Sequence, residues 1–226
     1  MPDLYDVAAI GNAIVDVIAP CDDAFITGNG LEKGAMMLVD AEQSAALYAK
    51  MKAGLETSGG SAGNTIAGVA SFGGKGAFMG KVANDKLGEV FAHDMRAIGA
   101  RFENKPLIGG PGTAVSMINV SPDAQRTMCT YLGASVQFSD DDVEKETVEA
   151  AKIVYLEGYL FDAEPARRAF AKAAAPLLHS PRTACVPSLS SANKAVILAA
   201  LVTDVLALQE VRGGIDHCFV SAFIIA

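Results

Sequence analysis

From about residue 140 onward the apolar residues of this chain keep switching period. Ser139 followed by Asp140, Asp141 and Asp142 marks a helix start, because a serine cap and early acids suit the positive end of a helix. Lys152 to Leu156 is a short apolar run stopped by Glu157-Gly158. Residues 163–178 return to helical spacing, Thr183 to Val186 reads as a strand, Ala192 to Leu201 as a helix and Val202 to Leu208 as a strand. Helix and strand in strict alternation predict a parallel sheet built by right-handed crossovers, with helices on both faces.

The first half adds to that sheet and also departs from it. Val7 to Ile10 is a continuous apolar run, as a strand buried on both faces requires, and Gly11-Asn12 stops it. Ala77 to Val82 reads as another strand. Ala41 to Met51, Thr65 to Phe72 and Leu87 to Ile98 have helical spacing, the last two ended by Gly73-Gly74 and Gly99. The short strands at 13–19 and 36–39, and the hairpin of Thr113 to Val120 with Arg126 to Leu132, do not alternate with helices. They predict a small side sheet, with lid segments near 12–40 and 112–132, over one edge of the main one. Residues 22–34 read as a polar, glycine-containing connection. The 226 residues suit one domain, and 51% hydrophobic content supplies a core large enough to exclude disorder as the main reading.

Composition removes several function classes. The net charge of −8 argues against a nucleic-acid partner. Four cysteines at 21, 129, 185 and 218 have no metal or disulfide spacing, and the first six residues carry two acids and no basic residue, so a cytoplasmic protein without a signal peptide is expected. The apolar stretch Ala195 to Leu208 is too short to span a membrane. His93, His179 and His217 lie far apart without an H-x-x-x-H, so no metal site is expected. Neither G-x-x-x-x-G-K-[ST] nor G-x-G-x-x-G occurs, which excludes a P-loop and argues against a dinucleotide fold.

Two groups of residues carry chemistry. The cluster Gly59-Gly60-Ser61-Ala62-Gly63-Asn64 opens a helix, where glycines let a ligand reach backbone amides and Asn64 offers an amide one turn in. Alone, the cluster is equally a tight turn with close helix packing. Gly11-Asn12-x-x-x-Asp16 follows the first strand, and in an open α/β sheet ligands sit at the carboxyl ends of strands. Asp16, between Val15 and Val17, is a carboxylate that is costly to bury without donors, and two adjacent sugar hydroxyls would supply them. Alone, Asp16 is better read as a solvated acid on a half-buried strand.

Together, G-N-A-I-V-D, G-G-S-A-G-N-T and S-F-G-G-K-G-A-F-M-G-K-V-A-N-D-K-L-G-E resemble the ribokinase-like PfkB family of carbohydrate and nucleoside kinases. Lys33-Gly34 and Tyr155-Leu156-Glu157-Gly158-Tyr159 look most like its bacterial adenosine-kinase-like members. The resemblance covers about residues 5 to 175. It implies a Rossmann-like ribokinase fold: a central, mostly parallel sheet flanked by helices, with a small β-sheet lid. It also implies Mg2+-supported transfer of the ATP γ-phosphoryl group to a primary hydroxyl of a nucleoside, adenosine first, or of a sugar. By matching positions, Asp16 would bind ribose or sugar hydroxyls, and Gly59, Gly60 and Asn64 would complete that edge. Asn12, Gly34, Met117 and Tyr131 would shape the pocket, Tyr159 would stack on a base or pack the core, and Arg126 would close over phosphates or stay solvated. A homodimer joined through the lid sheet is the expected assembly.

The last quarter departs from the family. Val205 to Arg212 resembles the strand that ends in N-x-x-E, but Gln209 stands for the Asn and Arg212 for the Glu. Gly213-Gly214-Ile215-Asp216 resembles G-A-G-D, whose Asp is the general base; Asp216 is thus the candidate catalytic residue, with Ile215 against it because a β-branched residue resists positive φ. Two readings remain at this stage: a domain incomplete at the C-terminus or altered in its last quarter, or a degenerate member that binds a sugar or nucleoside without catalysis.

Overall fold

The structure, a computed structural model, describes residues 4–176 and the backbone of a strand at Ala184–Ser188. The chain opens with strands β1 (Tyr5–Ile10) and β2 (Ile14–Pro20), then helix α1 (Asp23–Gly28), strand β3 (Met36–Leu38) and helix α2 (Ala41–Tyr48). Strand β4 (Leu55–Gly59), helix α3 (Ser61–Ser71), strand β5 (Gly76–Met79) and helix α4 (Lys86–Ala97) follow. A hairpin of β6 (Ala114–Val120) and β7 (Arg126–Tyr131) leads to helix α5 (Lys145–Glu149), strand β8 (Ala151–Glu157), helix α6 (Glu164–Ala174) and strand β9 (Ala184–Ser188).

The strands form two sheets. One is wholly parallel, in the order β5-β1-β8-β9. Ala8, Ala9 and Ile10 of β1 and all four residues of β5 are buried whichever face they point to, which is why these strands read as unbroken apolar runs. Ala8 and Ile10 of β1 and Val154 and Leu156 of β8 pack under α6, with Phe161 and Phe170. Ala9 of β1 and Phe78 of β5 turn the other way, toward Ala62 and Ile66 of α3 and Phe91 and Met95 of α4. Phe78, Phe91 and Phe102 meet with ring centroids 5.3–5.9 Å apart, the tilted geometry that aromatic quadrupoles favour. Asp85 caps α4: its carboxylate accepts from the Gly88 amide and from both the amide and hydroxyl of Thr113. Burial would raise the Asp85 carboxyl, but these donors outweigh it and hold it below the usual range.

The second sheet is mixed, in the order β3-β7-β6-β2-β4. Val17, Met117 and Cys129 face Leu47 of α2 on one side. Ile14, Asp16, Ser116, Ile118, Met128 and Thr130 occupy the alternate positions. The sheet therefore contains the predicted side strands plus β4, which pairs antiparallel with β2 from Ile14↔Gly59 to Ile18↔Leu55.

Four sequence expectations are corrected. Residues 23–28, read as a polar connection, form α1, with Asp22 accepting from the Phe25 amide at 2.8 Å. Strand β4 was hidden because Glu56, Thr57 and Ser58 show no apolar alternation. Strand β5 ends at Met79, not Val82, because Gly80 donates to the Asn104 side chain instead of continuing the ladder. The acidic stretch makes only a 3-10 turn at Asp140–Asp142, closed by reciprocal Ser139–Asp142 bonds, before the short α5. The elements predicted over 192–208 lie outside the described residues. No helix among the described residues is long and apolar enough to cross a membrane.

Candidate active site

Where β1 ends, the chain passes through Gly11-Asn12 and crosses into β2 of the other sheet. Strand β8 ends beside it at Glu157, and α3 starts above both at Gly60-Ser61. A side chain at position 11 would collide with Ala62 and Glu157, so this close approach requires glycine. Gly60 adopts φ +79°, the left-handed conformation that glycine tolerates, and so turns the chain from β4 into α3.

Glu157 joins the three elements. It is 1% exposed. One carboxylate oxygen accepts from the Asn12 backbone amide at 2.7 Å and from Asn12 Nδ2 at 2.9 Å. The other accepts from the Ser61 hydroxyl and from the Ala62 amide at 3.2 Å. Ser135 completes the chain of bonds by donating to Asn12 Oδ1 at 2.8 Å.

A cavity of about 460 Å³ opens in front of this network. Its polar lining is Asn12, Asp16, Ser61, Asn64, Glu157 and Asp162. Its apolar lining is Ile14, Met36, Leu38, Ile118, Met128 and Leu132, and on the sheet face that carries Ile14, Asp16 and Ile118 the hydroxyls of Ser116 and Thr130 are hydrogen-bonded to each other at 2.9 Å. Tyr159, 58% exposed, stands at its rim.

Asp16 is half-buried at mid-strand, flanked by Thr57 of β4 and Ser116 of β6. Among the described residues no donor is bonded to its carboxylate. Burial pushes its carboxyl up to about 6. It is a hydrogen-bond acceptor that lines the cavity and has no bonded partner among the described residues. Gly59 makes room for it, since a Cβ at position 59 would overlap the Asp16 carboxylate. Gly59→Ala has no φ conflict in a strand, so its expected effect is to force Asp16 into another rotamer. The overpacking should cost about 1–3 kcal/mol of stability, read as a lower urea midpoint. An unchanged midpoint would show that the close approach of Gly59 to the carboxylate does not matter.

The structure thus brings together Asn12, Asp16, Gly60, Asn64 and Tyr159, with Gly59 directly behind Asp16. It does not bring in four of the others. Tyr131 and Met117 fall on the face of the second sheet that packs against Leu47, one residue out of phase with Thr130 and Ile118. Gly34, at φ +78°, lies in the loop before β3 and donates to Thr127 Oγ1 at 3.0 Å, away from the cavity. Arg126 is exposed at the start of β7, on the cavity face but beyond Met128 and outside the lining. Asp216, with Gly213 and Gly214, lies outside the described residues. Sequence reasoning missed Glu157 as a site residue. The signal was present: an acid closing an otherwise apolar strand at its carboxyl end, followed by glycine.

Comparison with known proteins agrees with this geometry. The family described as pfkB family carbohydrate kinase matches residues 6–210. The structure superposes on an adenosine kinase from Sinorhizobium meliloti with TM-score 0.75 and 52% identity, covering 82% of this chain and 57% of that one. It superposes on a probable sugar kinase from Rhizobium etli with TM-score 0.76 and 47% identity, covering 84% and 57%. A fructokinase of Solanum tuberosum is 26% identical over 157 residues, 66% of this chain and 49% of that protein. The chain spans about half the length of the curated relatives it matches. With the parallel sheet, the second sheet beside it and the motifs at residues 11–16 and 59–64 all in place, the chain belongs to the pfkB family of carbohydrate kinases.

Proposed function

We propose that the protein transfers the ATP γ-phosphoryl group to a primary hydroxyl of a nucleoside, adenosine first, with ketose sugars next. The observation that carries this reading is Asp16: a half-buried carboxylate, with no bonded donor among the described residues, in a cavity whose lining also includes Met36, Leu38, Ile118 and Met128. Two vicinal ribose hydroxyls would give Asp16 the donors it lacks, and a base would cover Met36, Leu38, Ile118 and Met128. In this reading the second sheet is the lid. Phosphoryl transfer depends on positioning and charge stabilisation, so the contribution of these residues is to fix the substrate's sugar and exclude water around it.

ATP and Mg2+ belong to this reading through the family. Among the described residues no group of three or more His, Cys, Asp or Glu side chains is placed to hold a metal ion. Gly213, Gly214 and Asp216, the residues expected to meet the phosphates and the attacking hydroxyl, lie outside the described residues. The substitutions at Gln209, Arg212 and Ile215 favour a second reading, in which the pocket binds without turnover.

The test is ATP-dependent phosphorylation of adenosine, other ribosides and fructose by the mass-verified chain, with product identified by mass spectrometry. Adenosine should turn over fastest. Binding of adenosine without turnover supports the second reading, and neither binding nor turnover of any candidate overturns both.

A further inference from the structure

The start of α3 looks like a place for a phosphate, because free amides and a helix dipole converge there beside glycines. In this protein a carboxylate already sits against it. The Ser61 hydroxyl and the Ala62 amide point at one oxygen of Glu157, and the Asn12 backbone and side-chain N–H groups point at the other. Four donors that would face an anion are engaged by a carboxylate from β8.

The rest of the cavity repeats this sign. Asp16 adds a second acid to the lining and Asp162 a third. Among the described residues no Lys, Arg or His lines the cavity. Lys81 is paired with Asp142, Lys33 with Asp23 and Asp123, and Arg167 with Glu164 and the Phe161 ring, while Arg126, on the cavity face of β7, lies beyond Met128 and outside the lining.

We infer that Glu157 is a specificity-determining residue: it occupies the anion site at the start of α3 and so restricts the cavity to ligands whose hydroxyl-recognition end carries no phosphate. The inference rests on the reading that this cavity holds the substrate's sugar. A phosphate on a ribose 2′ or 3′ oxygen, or on the corresponding end of a hexose, would meet the Asp16 and Glu157 carboxylates and, among the described residues, no cation of the lining. Like charges in a partly dewatered site discriminate by repulsion.

The experiment is calorimetry on the full 226-residue protein with adenosine and with adenosine 3′-monophosphate. The phosphorylated ligand should bind about 100-fold more weakly, and the gap should narrow as salt rises from about 0.05 M to about 0.5 M, which a purely steric rejection would not do. In Glu157→Gln, with its fold checked by melting, the gap should close to less than about tenfold. A wild-type gap under tenfold, or one that salt does not move, overturns the inference while leaving the substrate reading intact. An unchanged gap in folded Glu157→Gln overturns the assignment to Glu157. If that variant does not fold, the wild-type gap and its salt dependence decide. Failure of adenosine itself to bind overturns the substrate reading and this inference with it.

Discussion

Asp16→Asn should make the unliganded protein more stable and its ligand binding weaker. The Asp16 carboxyl is pushed up to about 6 by burial, and no donor among the described residues compensates. In the unfolded chain the same group titrates near the ordinary aspartate value of about 3.9. Between these two values the native state holds more protons than the unfolded one, so stability from this group is full below about pH 4 and lost as pH rises through about 6. A two-unit shift corresponds to about 3 kcal/mol at most, and solvent at a half-buried site reduces this to about 1–2 kcal/mol. Asn is neutral throughout. Its stabilising effect should be near zero at about pH 4 and reach that full value above about pH 7, read by urea midpoints at both. A difference that does not change with pH would show that the charge is not the cause. Ligand affinity should move the opposite way. Losing a hydrogen bond to a charged group costs about 1.5–3 kcal/mol, or roughly 10- to 150-fold in Kd for adenosine. Improved stability together with unchanged affinity would remove Asp16 from the binding site.

Glu157→Ala should be the most destabilising single change in the site. It leaves the Asn12 amide, Asn12 Nδ2, the Ser61 hydroxyl and the Ala62 amide without their acceptor, in a position 1% exposed. Each buried donor left unpaired costs about 1–3 kcal/mol, and water entering the vacated space recovers part of that, so a net loss of about 4 kcal/mol or more is expected. That is a large share of the stability of an ordinary domain. The bonds it breaks join residues 95 to 145 apart in sequence, so the loss should appear as a lower urea midpoint with the slope unchanged, not as local fraying. A loss below about 1 kcal/mol would mean that the network is incidental to the fold.

These two acids show different degrees of legibility. Asp16 stood out because a charge between two valines in an apolar strand has to be explained locally. Glu157 did not, because its partners are Asn12 and the start of α3, and no local pattern pairs residue 157 with residues 12, 61 and 62. Asn12 was named as a pocket-shaping residue, yet its side chain is occupied by Glu157 and Ser135. Its position was readable; the fact that its polar atoms are spent inside the protein was not.

The sequence by itself determined the elements whose signal is local. The buried strands β1 and β8 followed from continuous apolar runs, α4 from its spacing and its glycine stop, the β6–β7 hairpin from Ser121-Pro122-Asp123, and the turn into α3 from its glycines. Tertiary structure decided what depends on pairing between distant segments. Met117 and Ile118 are both apolar, as are Cys129 and Met128, so composition cannot say which face of the hairpin meets α2 and which meets the cavity. That choice came from the register of β6 against β2, Ser116 beside Asp16, and it moved Tyr131 out of the site and Thr130 into it. Strand β4 exists for the same reason: Glu56, Thr57 and Ser58 carry no strand pattern of their own and become a strand through the backbone hydrogen bonds that β2 offers.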